Sequence, residues 1–140
     1  MKKRATGIGG VFLKAKDPDA TKKWYSDHLG IKSGQWGGTF EWRHAEAPSK
    51  KGFTAWSIFD ESTDYTQPGT KDTMINYRVE NLEQLLKDLK KEGVEVIGEM
   101  EEHDYGKFGW IMDPNGYKIE LWEPNDEEYD KIKGDANLSS

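Results

Sequence analysis

Cysteine is absent from all 140 residues, which excludes disulfide bonds, a thiol nucleophile and a thiolate metal site. No apolar run approaches the roughly 18 to 20 residues that cross a bilayer. The short apolar stretch at residues 5–13 follows a basic start, but it is rich in glycine, ends at Lys14 and has no small-residue cleavage site after it. It therefore predicts a first strand and not a secretory signal. We expect a cytoplasmic protein that has no membrane partner.

Basic residues are also in deficit. The chain has 26 acidic and 20 basic side chains, a net charge of −6, and this disfavours nucleic acid, which needs a basic surface. Apolar residues make up only 34%, but six Trp, six Tyr and five Phe compensate because each aromatic side chain buries a large area. This length and composition predict one globular domain over residues 1–140.

A strand followed by a helix opens the chain. Residues 11–17 predict the strand, and Asp17 can cap the helix, with Pro18 at its first position and Gly30 as its stop. The apolar face of this helix is predicted to consist of Ala20, Trp24, Tyr25 and Leu29.

The same pattern returns 64 residues later. Residues 75–81 predict a strand, Asn81 and Gln84 have capping-box spacing, and Gly93 stops the helix. Its apolar residues recur at i, i+3, i+4 and i+7 and are Leu82, Leu85, Leu86 and Leu89.

The segments that follow each helix match as well. Residues 37–43 align with 105–111 at an offset of 68, and residues 52–58 align with 116–122 at an offset of 64. The agreement of helix faces, caps and strand order indicates an internal duplication.

Each copy therefore predicts a strand, a helix and two or three further strands. We place module 1 at about residues 6–66, module 2 at about 73–124 and a polar tail at 125–140, which starts as a short helix or strap. Two βαβββ modules predict an α+β fold, in which a curved mixed sheet forms a cup and the helices pack on its outer face.

The paired modules, the D-P-x-A…W-Y…L-G-I helix and the D-P-N-G-Y-K-I-E-L-W-E-P stretch resemble the vicinal oxygen chelate superfamily. This superfamily includes glyoxalase I, extradiol dioxygenases and the bleomycin- and fosfomycin-resistance proteins. The resemblance covers roughly residues 6–124. It implies a homodimer as the common assembly and leaves open whether the cup is completed within one chain or across two. It does not identify the reaction, because one fold hosts many chemistries.

The metalloenzymes of this superfamily hold a divalent ion at four cup-facing positions. The resemblance places these at Gly10, Trp56, Met74 and Glu120. A catalytic metal normally needs about three protein ligands, and only Glu120 is a good one. We therefore expect no metal and no other cofactor. A divalent metal held with the help of His103 or Glu41 is the alternative.

Strand alternation extends the cup face from those four positions. The candidate ligand-binding residues are Phe12, Lys14, Trp42, Trp56, Met74, Asn76, Arg78, Trp110, Glu120 and Trp122, with Ile58 and Lys118 on the same face. Which face Trp42 and Trp110 take stays open. The alternate positions are apolar and suit the helix side: Val11, Leu13, Ala15, Ile75, Tyr77, Val79, Ile119 and Leu121.

Apolar walls with a few polar groups describe a small-molecule pocket. Our first hypothesis is a metal-independent binding protein in which planar or cationic molecules stack on Trp56 and Trp122 while Glu120 supplies charge. The alternative is a lyase or isomerase of the glyoxalase type, with or without a metal, in which Glu120 is the general base and Lys14 or Arg78 holds a substrate carboxylate or enolate.

A third interpretation gives Glu120 no ligand at all. In this case the carboxylate pairs with Arg78 or Lys118 and only balances buried charge. The sequence does not decide whether the protein is an enzyme.

Overall fold

The computed structural model describes residues 3–133. Seven strands and three helices follow one another in this order: β1 (Ala5–Ala15), α1 (Pro18–Leu29), β2 (Gly38–His44), β3 (Ala47–Asp60), β4 (Thr73–Val79), α2 (Leu82–Lys91), β5 (Val96–His103), β6 (Gly106–Met112), β7 (Lys118–Pro124) and α3 (Asp126–Ile132). No helix within residues 3–133 has the length and apolar character that a membrane span requires.

One mixed sheet joins both modules. Its strand order is β2-β3-β1-β4-β7-β6-β5, with β1 and β4 antiparallel at the centre. Each module also contains one parallel pair, β1 with β3 and β4 with β7. The first module uses three strands and the second four. The predicted α+β class, the curved mixed sheet and the repeat of strand and helix are therefore confirmed.

The two helix starts differ. On α1 the Asp17 carboxylate accepts a hydrogen bond from the Ala20 N–H at 3.1 Å, and Gly30 ends the helix with a φ of 70°, as predicted. On α2 the predicted capping box is absent, because Asn81 adopts a φ of 46° and makes no side-chain cap bond. Glu123 of β7 replaces it and accepts from the Leu82 N–H at 2.8 Å. A tertiary contact therefore caps this helix.

The hydrophobic core lies between α2 and the outer face of the second module. Val79, Leu82, Leu85, Ile111 and Leu121 are buried together, and Tyr77, Leu86, Leu89 and Ile119 pack against them. This agrees with the predicted helix side of β4 and β7. The outer face of the first module is covered less completely, since no residue of α1 is buried.

The predicted apolar face of α1 is partly wrong. Tyr25 packs against the Trp56 ring at 4.9 Å between centroids, but Trp24 and Leu29 are 53% and 62% exposed. On this face, Tyr25 contacts a ring of the sheet, whereas the side chains of Trp24 and Leu29 are largely exposed to solvent.

The tail beyond β7 begins with α3, which confirms its predicted helical start. Tyr129 of α3 packs its ring against Phe53 and Trp122, at 5.4 and 5.1 Å between centroids. Its hydroxyl and that of Thr39 share a hydrogen bond of 2.9 Å. The short helix thus ties the end of module 2 to β2 and β3 of module 1. Residues 134–140 of the predicted tail lie outside the described part of the chain.

Candidate functional site

The concave side of the sheet holds a cavity of about 500 Å³. Five of the predicted residues line it: Phe12, Asn76, Trp110, Glu120 and Trp122. The rest of its lining consists of Gly9, Trp36, Ala55, Ser57, Phe59, Thr63, Tyr65, Glu101, His103, Tyr105, Phe108 and Tyr129. Both modules contribute, so a single chain forms this cavity.

Glu120 is the buried carboxylate of the cavity, with 3% of its surface exposed. Its Oε1 accepts from Asn76 Nδ2 at 2.7 Å, and its Oε2 accepts from Trp110 Nε1 at 3.0 Å and from the Tyr65 hydroxyl. All three donors are neutral. Because β4 and β7 pair Asn76 with Glu120, and β6 and β7 pair Trp110 with Glu120, the sheet itself positions two of these donors.

Tyr65 comes from the segment that connects β3 to β4. Burial, the negative charge of Glu120 and the hydrogen bond between them all raise the pKa of Tyr65. The phenol therefore stays protonated at neutral pH and serves as a donor to the carboxylate.

Lys118 does not pair with Glu120, contrary to one interpretation of the sequence. Its ammonium donates to the Tyr65 backbone oxygen at 2.6 Å and lies over the Tyr65 and Trp110 rings, at 5.1 and 5.6 Å from their centroids. Partial burial lowers the pKa of Lys118, against the opposing effect of nearby carboxylates. Lys118 thus packs over the Tyr65 and Trp110 rings and is not part of the cavity lining.

Arg78 does not pair with Glu120 either. Its guanidinium is 3% exposed, lies between Trp42 and Trp122 at 5.1 and 5.4 Å from the ring centroids, and binds both carboxylate oxygens of Asp126. Arg78 was predicted to hold a substrate carboxylate or enolate, but its guanidinium is already paired with Asp126. Arg78 lies outside the lining of the cavity.

Three further predicted residues also lie outside the cavity. Met74 is fully buried, and Lys14 is absent from the lining. Trp42 packs against Gly52, where a Cβ would collide with its ring, and its Nε1 donates to Thr54 Oγ1 at 2.8 Å. These contacts answer the open question of its face: Trp42 lies with Arg78 at the end of the cup.

Trp56 was placed on the wrong face of β3. It contacts Tyr25 of α1, so it points toward the helix. Pairing of Phe12 with Ser57, and of Asn76 with Glu120, shows that the equivalent of Glu120 is Ser57, at an offset of 63. A register shift of one residue moves a whole strand to the opposite face, so Ile58 is displaced as well and Ser57 and Phe59 line the cup.

The corrected register bears on the metal implied by the resemblance. The four positions become Gly10, Ser57, Met74 and Glu120, and the Ser57 hydroxyl already donates to the Trp36 carbonyl at 3.1 Å. Glycine, a hydrogen-bonded serine, a thioether and one carboxylate do not fit a catalytic divalent ion.

The alternative metal ligands have other partners, although His103 lines the cavity together with its partner Glu101. Glu41 lies 3.7 Å from Arg43 and 3.6 Å from Lys51, and His103 lies 3.2 Å from Glu101. Across the described residues 3–133, no cluster of three or more His, Cys, Asp or Glu side chains suits a metal.

Several lining residues escaped the sequence analysis. Phe59 and Ser57 would follow from the correct register of β3. Tyr65, Trp36 and Tyr129 come from connecting segments and from α3, where no alternation pattern exists to assign a direction.

Comparisons with known proteins agree with this fold. Residues 7–121 match the model of the family described as "Glyoxalase/Bleomycin resistance protein/Dioxygenase superfamily". A methylmalonyl-CoA epimerase from Mycobacterium tuberculosis is 20% identical, with 93% of this chain and 95% of that chain covered and a TM-score of 0.59. A Streptomyces coelicolor methylmalonyl-CoA epimerase in complex with 2-nitronate-propionyl-CoA is 15% identical, with 86% and 99% covered and a TM-score of 0.62.

A member of the same superfamily from Vibrio splendidus 12B01 is 13% identical, with 83% of this chain and 97% of that chain covered and a TM-score of 0.54. No curated protein matches the chain significantly. At these identities, the structural similarity establishes the fold and not the reaction.

Proposed function

Because the chain belongs to the glyoxalase/bleomycin resistance protein/dioxygenase superfamily, we propose that its cup binds a small, planar, positively charged molecule without a catalytic metal. One observation carries this proposal. Glu120 is a buried carboxylate in an aromatic cavity, and its three hydrogen-bond donors are all neutral. The ammonium of Lys118 lies near this carboxylate but outside the cavity lining and forms no ion pair with it, so a cationic ligand would supply the opposite charge on the cavity side.

The walls of the cavity suit a planar ligand. Phe12 and Phe59 are stacked at 5.4 Å between ring centroids, and Phe108 and Trp122 at 5.8 Å. Trp36, 87% exposed, adds a further indole at the rim. The faces of aromatic rings attract cations, most strongly where water is excluded.

The charge of the lining points the same way. Within the described chain, the lining contains Glu101 and Glu120 but no Lys or Arg. The net charge of −6 would favour the approach of a cation over that of an anion.

Glu120→Gln tests the proposal. A panel of planar aromatic cations, each with a neutral analogue of the same shape, is titrated against the wild type by tryptophan fluorescence and melting temperature. We expect cations to bind, and Glu120→Gln to weaken them about tenfold or more because the charge is lost. Glu41→Gln, a surface carboxylate outside the cavity, is the matched control and leaves binding unchanged. The proposal fails if no cation shifts either signal.

The enzymatic alternative has one observation in its favour. Oε1 of Glu120 accepts a single hydrogen bond, so it keeps an acceptor position that a general base would need. Turnover of a carbon acid that is lost in Glu120→Gln, with the fold intact, would establish a lyase or isomerase in place of a binding protein.

The assembly and location are proposed from the family resemblance. We expect a cytoplasmic homodimer. The edge strands of the described sheet are β2 and β5, and either could pair with a strand of a second copy. Light scattering at micromolar concentration would show a mass near 32 kDa, twice the 16.0 kDa of one chain, and a mass near 16 kDa would exclude the dimer.

A further inference from the structure

The hydrogen-bond donors and acceptors that line the cavity indicate which chemical group of a ligand would bind there. An ionised carboxylate has about four acceptor positions. Glu120 uses two on Oε2, for Tyr65 and Trp110, and one on Oε1, for Asn76. One acceptor position on Oε1 is therefore open to a donor from the cavity that Glu120 lines.

A second acceptor lies next to the first. Asn76 is 2% exposed and lines the cavity, and within residues 3–133 its Oδ1 has no hydrogen-bond partner. The orientation of its amide is determined, because Nδ2 donates to Glu120 Oε1 and a flipped amide would place two oxygens together. A buried acceptor left without a donor is unfavourable, so this atom also favours a donor-bearing ligand.

Gly9 makes room for that acceptor. A Cβ at Gly9 would collide with Asn76 Oδ1 and crowd the Trp122 ring. The glycine of β1 therefore leaves the space in which the amide oxygen of Asn76 lies.

Four donors of the lining are already engaged. Trp110 and Tyr65 donate to Glu120, Trp122 Nε1 donates to the Tyr105 carbonyl at 3.0 Å, and the Ser57 hydroxyl donates to the Trp36 carbonyl. These four donors are therefore not free to pair with the open position on Glu120 or with Asn76 Oδ1, and this favours a ligand that supplies the hydrogens.

We propose that the cup selects a protonated amine or amidine attached to a planar aromatic group, and discriminates against a quaternary ammonium. This inference rests on the proposed function and adds the chemical nature of the cationic head group of the ligand. Aromatic walls alone attract any cation, including a quaternary one. Only a cation with N–H hydrogens can also satisfy the open position on Glu120 and the acceptor on Asn76.

The test compares three ligands of one shape on the wild-type protein. 1-Naphthylmethylamine, its N,N,N-trimethylammonium analogue and 1-naphthylmethanol are titrated by calorimetry at neutral pH, where the amine is protonated. We expect the amine to bind at least about tenfold more tightly than the quaternary analogue, because the latter leaves buried acceptors unpaired. The neutral alcohol is expected to bind most weakly.

Each outcome decides a different point. Equal or tighter binding of the quaternary compound overturns the head-group inference and leaves the proposed cation site standing. Equal binding of the alcohol and the amine, or no binding of any of the three, overturns the proposed function itself.

Two glycine variants of β1 provide a matched pair. Gly9→Ala should displace the Asn76 amide and reduce the preference for the amine over the quaternary compound. Gly7→Ala should leave the preference intact, because its Cβ would make only ordinary contacts of 3.7 Å with Arg78 and Trp42. An unchanged preference in folded Gly9→Ala would remove Asn76 from the recognition of the head group.

Discussion

Arg78 and Asp126 form a two-point ion pair inside the protein, with guanidinium nitrogens 2.9 and 2.6 Å from the two carboxylate oxygens. The pair fastens α3 to β4 at the end of the cup, and the guanidinium lies between the rings of Trp42 and Trp122. A cation that could have held an anionic substrate is thereby neutralised from within. This leaves the carboxylate of Glu120 as the buried charge that faces the cavity, which is the basis for expecting a cationic ligand.

Asp126→Asn should destabilise the protein by about 3 kcal/mol, because it leaves the buried guanidinium of Arg78 without its counter-charge. The control is Asp130→Asn on the same helix, which loses partly exposed contacts of 3.3 Å with Lys51 and 3.7 Å with Lys133 and should cost less than about 1 kcal/mol. Urea unfolding of both variants measures the difference. Equal losses would mean that burial of Arg78 does not strengthen the pair.

Trp110→Phe should cost about 2 kcal/mol or more, because it removes a donor from the buried carboxylate of Glu120. Trp42→Phe makes the same change of side chain but removes a donor from the neutral Thr54 hydroxyl, and the expected cost is about 1 kcal/mol. The free energies of unfolding of the two variants test the ranking. A larger loss for Trp42→Phe would argue that Glu120 gains no more from its indole donor than the Thr54 hydroxyl does.

High pH should destabilise the wild type through Tyr65. The folded protein holds the phenol proton more tightly than the unfolded chain, because the pKa of Tyr65 is raised above its ordinary value of 10.0. The stability from this group is therefore complete below pH 10 and is lost as the pH rises above that value. Tyr65→Phe should lose less stability than the wild type over the same alkaline range, as measured by unfolding at each pH. If stability falls with pH equally in the two proteins, the raised pKa of Tyr65 is contradicted.

The register of β3 can be tested through neighbouring residues. Phe59→Ala should weaken the binding of a planar cation about tenfold, because it removes one ring of a stacked pair that lines the cup. Ile58→Ala should leave the Kd unchanged but lower stability by about 2 kcal/mol or more, since Ile58 is 6% exposed and lies outside the lining. The opposite pattern would restore the register expected from the repeat.

Local patterns were sufficient for much of the molecule. Asp17 begins α1 through its capping side chain, and Gly30 ends the helix because glycine adopts a positive φ easily. The alternation of side chains along the strands placed Asn76, Glu120 and Trp122 on the cup face. These features depend on near neighbours in the chain or on the two-residue period of a strand, so the sequence carries them directly.

Only the tertiary structure decided which residues pair with each other on neighbouring strands of the sheet. The repeat offset is 64 at Phe12 and Asn76 but 63 at Ser57 and Glu120, and this difference of one residue moved Trp56 out of the predicted cup.

Sequence alone made Glu120 the central carboxylate of the cup, through the family pattern and the alternation of β7. One of its three hydrogen-bond donors is Tyr65, and the neutralisation of Arg78 comes from Asp126; these residues lie 55 and 48 residues from their partners. Neither residue belongs to a repeating pattern that predicts where it points. The sequence therefore determined the fold and the position of the charge, whereas long-range packing decided which charge faces the cavity.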